Sequence, residues 1–195
     1  MSVDSSGSLT CVVAESPLES TEYGLVPTGK GWFVMNAREA PWWAREGRGF
    51  YCEFEGLEGD EPDFSQLGIN LVLLGPGEPM GMYHWEADQE DFLVLSGEAL
   101  LIVEGQERPL RQWDLVHCPP GTKHAIVGAG DAPCLVLAVG ARDRSTGRDW
   151  GAYTVDEAAI RHGAGVDQET TEASEAYARF RRGEPTRYRE GWLPE

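Results

Sequence analysis

The stretch Gly77-Glu-Pro-Met-Gly-Met-Tyr83-His84-Trp85-Glu86-Ala-Asp-Gln-Glu90-Asp-Phe-Leu-Val-Leu-Ser-Gly97 decides the reading of this chain. On a β-strand, residues two apart share a face, so His84 and Glu86 point to one side while Tyr83 and Trp85 point to the other. The excursion Ala87-Asp88-Gln89 is short, and it returns Glu90 to the space that His84 and Glu86 face. Further on, Pro119-Pro-Gly121-Thr-Lys-His124 supplies a second imidazole directly after a tight turn. Two imidazoles with one or two carboxylates form the donor set that a first-row divalent metal takes from a protein.

Working outward, the neighbouring segments read as a series of short strands. Ile69–Leu74 ends at Gly75-Pro76-Gly77, and Met82–Glu86 and Phe92–Leu95 follow, the latter closing at Ser96-Gly97. Ala99–Val103, then a turn at 104–107, and Trp113–Cys118 ending at Pro119-Pro120-Gly121 continue the pattern, with His124–Val127 and Cys134–Val139 last. Short apolar runs with Gly/Pro punctuation at this spacing predict an all-β sandwich or barrel. Nothing helical intervenes that would wind a parallel sheet.

The flanks differ in character. Residues 1–66 read as an N-terminal aromatic arm with accessory strands, carrying Trp32, Phe33, Trp42, Trp43, Phe50, Tyr51 and Phe54. Residues 67–142 form the barrel core, and residues 143–195 a C-terminal helical tail. In the tail, Thr154-Val-Asp-Glu157 has capping-box spacing and opens a short helix ending near His162-Gly163. Ala173, Ala176, Tyr177 and Phe180 follow helical spacing, with Arg181 and Arg182 before Gly183 at its end.

Composition narrows the partners. The 195 residues carry 16 Lys+Arg against 33 Asp+Glu, a formal charge of −17. That balance argues against nucleic acid, whose binding rests on Lys/Arg contacts to phosphate, and against an anionic membrane surface. No run is long and apolar enough for a transmembrane helix, and the first residues lack the pattern of a signal peptide, so the expected address is cytoplasmic. Cys11, Cys52, Cys118 and Cys134 are irregularly spaced with no Cys-x-x-Cys, and read as buried, reduced thiols. The acidic segment Glu53–Asp63 reads as a solvated loop.

The spacing of these residues resembles the two motifs of the cupin superfamily. The first motif is represented by His84-x-Glu86, three residues, Glu90, six residues and Gly97; the second by Trp113, five residues, Pro119-x-Gly121, two residues, His124, three residues and Gly128. The resemblance covers roughly residues 67–140 and implies a small bacterial single-domain cupin of the conserved-barrel type. It implies a double-stranded β-helix (jelly-roll barrel), one divalent transition metal (Mn, Fe, Ni or Zn), a small-molecule ligand and a homodimer. By position the family's ligands, usually three His and one Glu, become His84, Glu86, Glu90 and His124. Three further departures leave the ligand set intact: Gly77 lies one residue early, Trp113 stands where the second motif has Gly, and Gly128 where it has Asn.

Glu86 has two readings. It completes a site of two His and two carboxylates, or it stands free as a general base beside a two-His-one-carboxylate face. A metal-free barrel with Glu86 hydrogen-bonded inside is the alternative to both. Gln89 is the substitute ligand should Glu90 turn away. Glu86 and Tyr83 are the candidates for proton transfer, although alternation turns Tyr83 from His84. Of His117 and Cys118, one must face inward; His162 is explained by a helix terminus. Met80, Met82, Phe92 and Val94 read as core or as lining of the barrel mouth. Lys123 and Arg142 are the cations nearest the motifs. The expected function is a metal-dependent dioxygenase, isomerase or lyase acting on a small polar molecule. The alternatives are a non-catalytic cupin that binds a metal or small molecule, and a structural or regulatory module.

Overall fold

Leu71-Val-Leu-Leu74 is apolar without alternation, the signature of a strand covered on both faces. In the computed structural model, which describes residues 2–3, 9–10, 13–29, 31–54, 66–142 and 150–195, this is what is found. Val72 and Leu74 face one core, and Leu71 and Leu73 face another.

The strands in chain order are β1 (Ser2–Val3), β2 (Leu9–Thr10), β3 (Leu18–Ser20), β4 (Leu25–Pro27), β5 (Pro41–Ala44), β6 (Phe50–Glu53), β7 (Leu67–Leu74), β8 (His84–Glu86) and β9 (Glu90–Ser96). They continue with β10 (Glu98–Val103), β11 (Gln106–Arg111), β12 (Leu115–Cys118), β13 (His124–Ala129), β14 (Cys134–Ala141), β15 (Gly151–Tyr153) and β16 (Glu184–Arg187). Two short helices, α1 (Glu157–Arg161) and α2 (Ala173–Ala176), lie between β15 and β16.

Two antiparallel sheets face each other, in the orders β11-β10-β13-β8-β15 and β12-β9-β14-β7-β6-β5-β16. Val72, Phe92, Val94, Val116 and Val136 from the larger sheet meet Leu101, Leu110 and Ile126 from the smaller one, which gives the expected jelly-roll its interior. On the outer face of the larger sheet, Trp42 of β5 and Phe50 of β6 pack with Tyr188 and Trp192 from the C-terminal flank. The outer face of the smaller sheet buries Tyr83, Ile102, Ala125 and Val127 against Ala158 and Ala159 of α1. Core burial of this kind contributes roughly 1.5–3 kcal/mol for each large side chain.

Several local expectations are corrected by the structure. Gln106 and Glu107, read as part of a turn, open β11, which runs to Arg111; it is an edge strand whose mostly exposed polar residues and Pro109 hide the alternation. Helix α1 is capped by Asp156, whose Oδ1 accepts from Ala159 N, because Tyr153 and Thr154 are still extended against β8 and Tyr83. The helical spacing at 173–180 yields one turn of helix, with Tyr177–Phe180 continuing as turns, and β16 then joins the larger sheet beside β5.

Two motif departures have a physical account. Trp113 has a φ of +75°, the left-handed conformation that favours glycine, and is 66% exposed. Holding a non-glycine residue there costs about 1–2 kcal/mol. Gly128 packs on the turn after β7, where a Cβ would lie 2.2 Å from the Gly75 carbonyl oxygen, so no side chain fits. Cys52, Cys118 and Cys134 are buried free thiols, as expected; Cys11 and the acidic segment from Glu55 to Asp63 lie outside the described residues.

Candidate metal centre

The single pairing between β8 and β13 sets His84 directly opposite His124. Antiparallel partners on one face stand side by side, and the two imidazole centroids are 4.9 Å apart. Each ring is oriented by the backbone. His84 Nδ1 donates to the Met82 carbonyl at 2.7 Å and His124 Nδ1 to the Thr122 carbonyl at 3.0 Å. A carbonyl can only accept, so both Nδ1 atoms carry a proton, and each Nε2 is a lone-pair donor whenever its ring is neutral.

Glu90 opens β9 in the facing sheet and closes the arrangement. Its Oε2 lies 3.4 Å from His124 Nε2 and 3.7 Å from His84 Nε2. Ligand atoms of His84, Glu90 and His124 all lie within 4.8 Å of one another. These separations are long for hydrogen bonds, but donors each about 2.1 Å from a common ion sit about 3.0–3.4 Å apart. His124 Nε2 is buried with no hydrogen-bond partner, and the ring is 1% exposed. A buried ring nitrogen without a partner, beside a second imidazole and a carboxylate, fits a divalent metal.

The electrostatics agree. Burial, followed by the neighbouring Glu86 charge, pushes the Glu90 carboxyl up to about 7, well above the ordinary carboxylate range. Burial and the His84 charge hold His124 down to about 4, which keeps the ring neutral. Burial lowers His84, but the hydrogen bond to Glu86 and the charges of Glu90 and Glu86 outweigh it and raise the ring overall.

The structure separates the remaining candidates. Glu86 Oε1 is 3.5 Å from His84 Nε2, but Glu86 is outside the mutually close trio and its side chain is the most exposed of the four, at 32%. Tyr83 is not at the site: its ring is buried in the outer core under α1, and its hydroxyl accepts from Gly105 N at 3.3 Å. The alternation that brings His84 inward sends Tyr83 outward. Gln89 donates to Asp91 instead of entering the trio. Cys118 is the inward residue of its pair, while His117 is exposed and its Nδ1 bonds Asp91 Oδ1 at 2.6 Å. His162 caps α1 and approaches Glu107 at 3.3 Å.

The trio lies in a cavity of about 280 Å³ lined also by Arg45, Arg48, Tyr51, Asn70, Met80 and Tyr177. Arg45 and Arg48 follow β5, in the flank, and were not singled out from the sequence; Lys123 and Arg142, which were, do not line it. No motif spacing marks the two arginines. The one available signal was a pair of cations, three apart, inside the aromatic-rich run Trp42–Tyr51.

Residues 70–140 match the model of the cupin domain. A search of curated proteins finds no match. Among solved structures, the chain is similar to a candidate sugar phosphate isomerase from Acidithiobacillus ferrooxidans, with 26% identity and a TM-score of 0.42. The overlap covers 53% of this chain and 63% of that one, so just under two thirds of that relative's length is spanned. It is also similar to the DMSP lyase DddQ from Ruegeria pomeroyi, with 26% identity, 49% of each chain covered and a TM-score of 0.39. A cupin 2 conserved barrel domain protein from Salinispora arenicola shows 23% identity over 49% of this chain and 77% of that one, with a TM-score of 0.40.

Proposed function

We propose that this chain, which belongs to the cupin superfamily through residues 70–140, is a metal-dependent enzyme acting on a small polar molecule. The observation that carries the reading is the convergence of His84 Nε2, His124 Nε2 and the Glu90 carboxylate in one cavity, with His124 Nε2 buried and unpartnered. The class of reaction is that of a dioxygenase, isomerase or lyase. A divalent transition metal held there supplies Lewis-acid or redox chemistry to the substrate.

The chain's own groups have distinct parts. His84 and His124 present fixed Nε2 lone pairs because their Nδ1 protons are held by the Met82 and Thr122 carbonyls. Glu90 supplies the negative charge. Glu86, beside His84 but outside the trio, takes or returns a proton at Oε1, so of its two readings the free base is the one proposed. Phe92 and Ile126 line the cavity next to the trio and limit water there.

The test begins with the purified protein, which is expected to carry about one transition metal per chain. Alanine at His84 or His124 removes it; full occupancy in those variants overturns the assignment. O₂ consumption by the Fe(II)-loaded protein across a panel of small metabolites then separates a dioxygenase from an isomerase or lyase. Glu86→Gln is expected to keep the metal and lose turnover. The homodimer belongs to the same proposal, and sedimentation as a monomer at micromolar concentration overturns that part.

A further inference from the structure

Arg45 and Arg48 reach into the cavity from the turn between β5 and β6. Arg48 Nη2 donates to the Met80 carbonyl at 2.9 Å and Arg45 Nη1 to the same oxygen at 3.4 Å. The Arg45 guanidinium lies 4.5 Å from the Tyr51 ring centroid, and that of Arg48 lies 4.1 Å from the Tyr177 centroid. These contacts account for one donor and one face of each group. Nε and Nη2 of Arg45 and Nε of Arg48 remain, all buried and all without a hydrogen-bond partner. Among the described residues, no carboxylate forms an ion pair with either arginine.

Buried guanidinium donors without partners are costly, and two such groups side by side repel each other. Burial, and then the Arg48 charge, pull Arg45 down to about 10, so it still carries its charge at neutral pH. Nε and Nη2 form the side-on edge of a guanidinium, the in-plane fork that matches the two oxygens of a carboxylate. We infer that the arginine end of the cavity binds a carboxylate, held in plane by Nε and Nη2 of Arg45 and met by Nε of Arg48, and that the substrate is a small organic acid reaching from there toward His84, Glu90 and His124.

Phosphate fits less well. Three free guanidinium donors suit a planar carboxylate better than a tetrahedral phosphate. Asn70 Oδ1 is likewise buried and unpartnered in the lining, and accepts from a hydroxyl on the acid. A cavity of about 280 Å³ limits the acid to a small one.

The inference rests on the proposed metal centre only for the orientation of the acid, and the test keeps the two apart. Succinate, its neutral counterpart succinamide, and inorganic phosphate are titrated calorimetrically into metal-free protein and into Mn(II)-loaded protein. Succinate is expected to bind the metal-free protein while succinamide does not. Arg45→Met and Arg48→Met are each expected to weaken succinate about tenfold or more. Metal stoichiometry is expected to remain that of wild type in both. Arg45→Lys keeps the charge and loses the fork, so it weakens succinate as well; it serves if a methionine variant fails to fold, which its melting curve reveals. Equal binding of succinamide, tighter binding of phosphate, or unchanged succinate binding in folded Arg45 and Arg48 variants overturns the inference. Succinate binding without any metal site in wild type overturns the metal-centre reading alone.

Discussion

The two ends of the cavity hold the same kind of oddity in opposite chemical form. At one end are an imidazole nitrogen and a carboxylate; at the other are guanidinium donors; both ends contain buried polar atoms that no protein group satisfies. The metal end is built from β8, β9 and β13, where register brings His84, His124 and Glu90 together. The arginine end is built from the flanks, by the turn after β5 and by Tyr177 beyond α2. A rigid sheet fixes donor positions to the tolerance a metal needs, whereas a turn stacked on aromatic rings provides charge with looser geometry. Under the proposed reading, the barrel's part is to hold an ion, and the flank's part is to choose what meets it.

Four measurements press on that division. The largest effect is expected from His124→Ala, which lowers metal affinity about 100-fold or more, against no change in Arg45→Met. Comparable losses in both would join the two ends into one unit. Next, Glu90→Gln is expected to cost about 10–100-fold in metal affinity and Glu86→Gln only about threefold, measured by competition with a chelator. Equal losses would return Glu86 to the ligand set.

The third measurement is the pH profile. The metal must displace a proton from Glu90, whose carboxyl lies up near 7, and from the raised His84, so affinity falls about tenfold per unit per proton as pH drops below about 7. Succinate binding to metal-free protein is expected to change little from about pH 8 to 9, where Glu90 is already ionised and Arg45, near 10, keeps its charge. Parallel profiles would break the comparison. The smallest effect concerns stability: removing a buried charge whose donors lack partners leaves the ligand-free protein within about 1 kcal/mol of wild type, or above it, in Arg45→Met. A fall of several kcal/mol in denaturant unfolding would make Arg45 a structural residue.

The sequence was most legible where chemistry depends on strand period and fixed spacing. His84, Glu90 and His124 follow from alternation and from turns marked by Gly and Pro, and the all-β architecture follows from the same punctuation. Glu86 was legible as a neighbour of His84 but not as a member or non-member of the trio, because a side-chain rotamer decides that. Tyr83 illustrates how alternation alone gives the right answer: the residue beside a ligand on a strand faces away from it. Strand β11 was obscured by charge, since an edge strand needs few apolar residues. Arg45 and Arg48 were illegible for a different reason. Their importance comes from what does not pair with them, and an unpaired donor has no signature in one dimension.

The pairing of β16 with β5 has a consequence for inheritance. The strand that precedes the arginine turn is held on its far side by the chain's last strand, and Arg48 lies under Tyr177 of the same C-terminal segment. Residues 70–140 contain every candidate ligand but neither arginine. Under the proposed reading, a descendant could therefore trade its flanks and change its diet while keeping its metal, and the barrel would carry no record of the exchange.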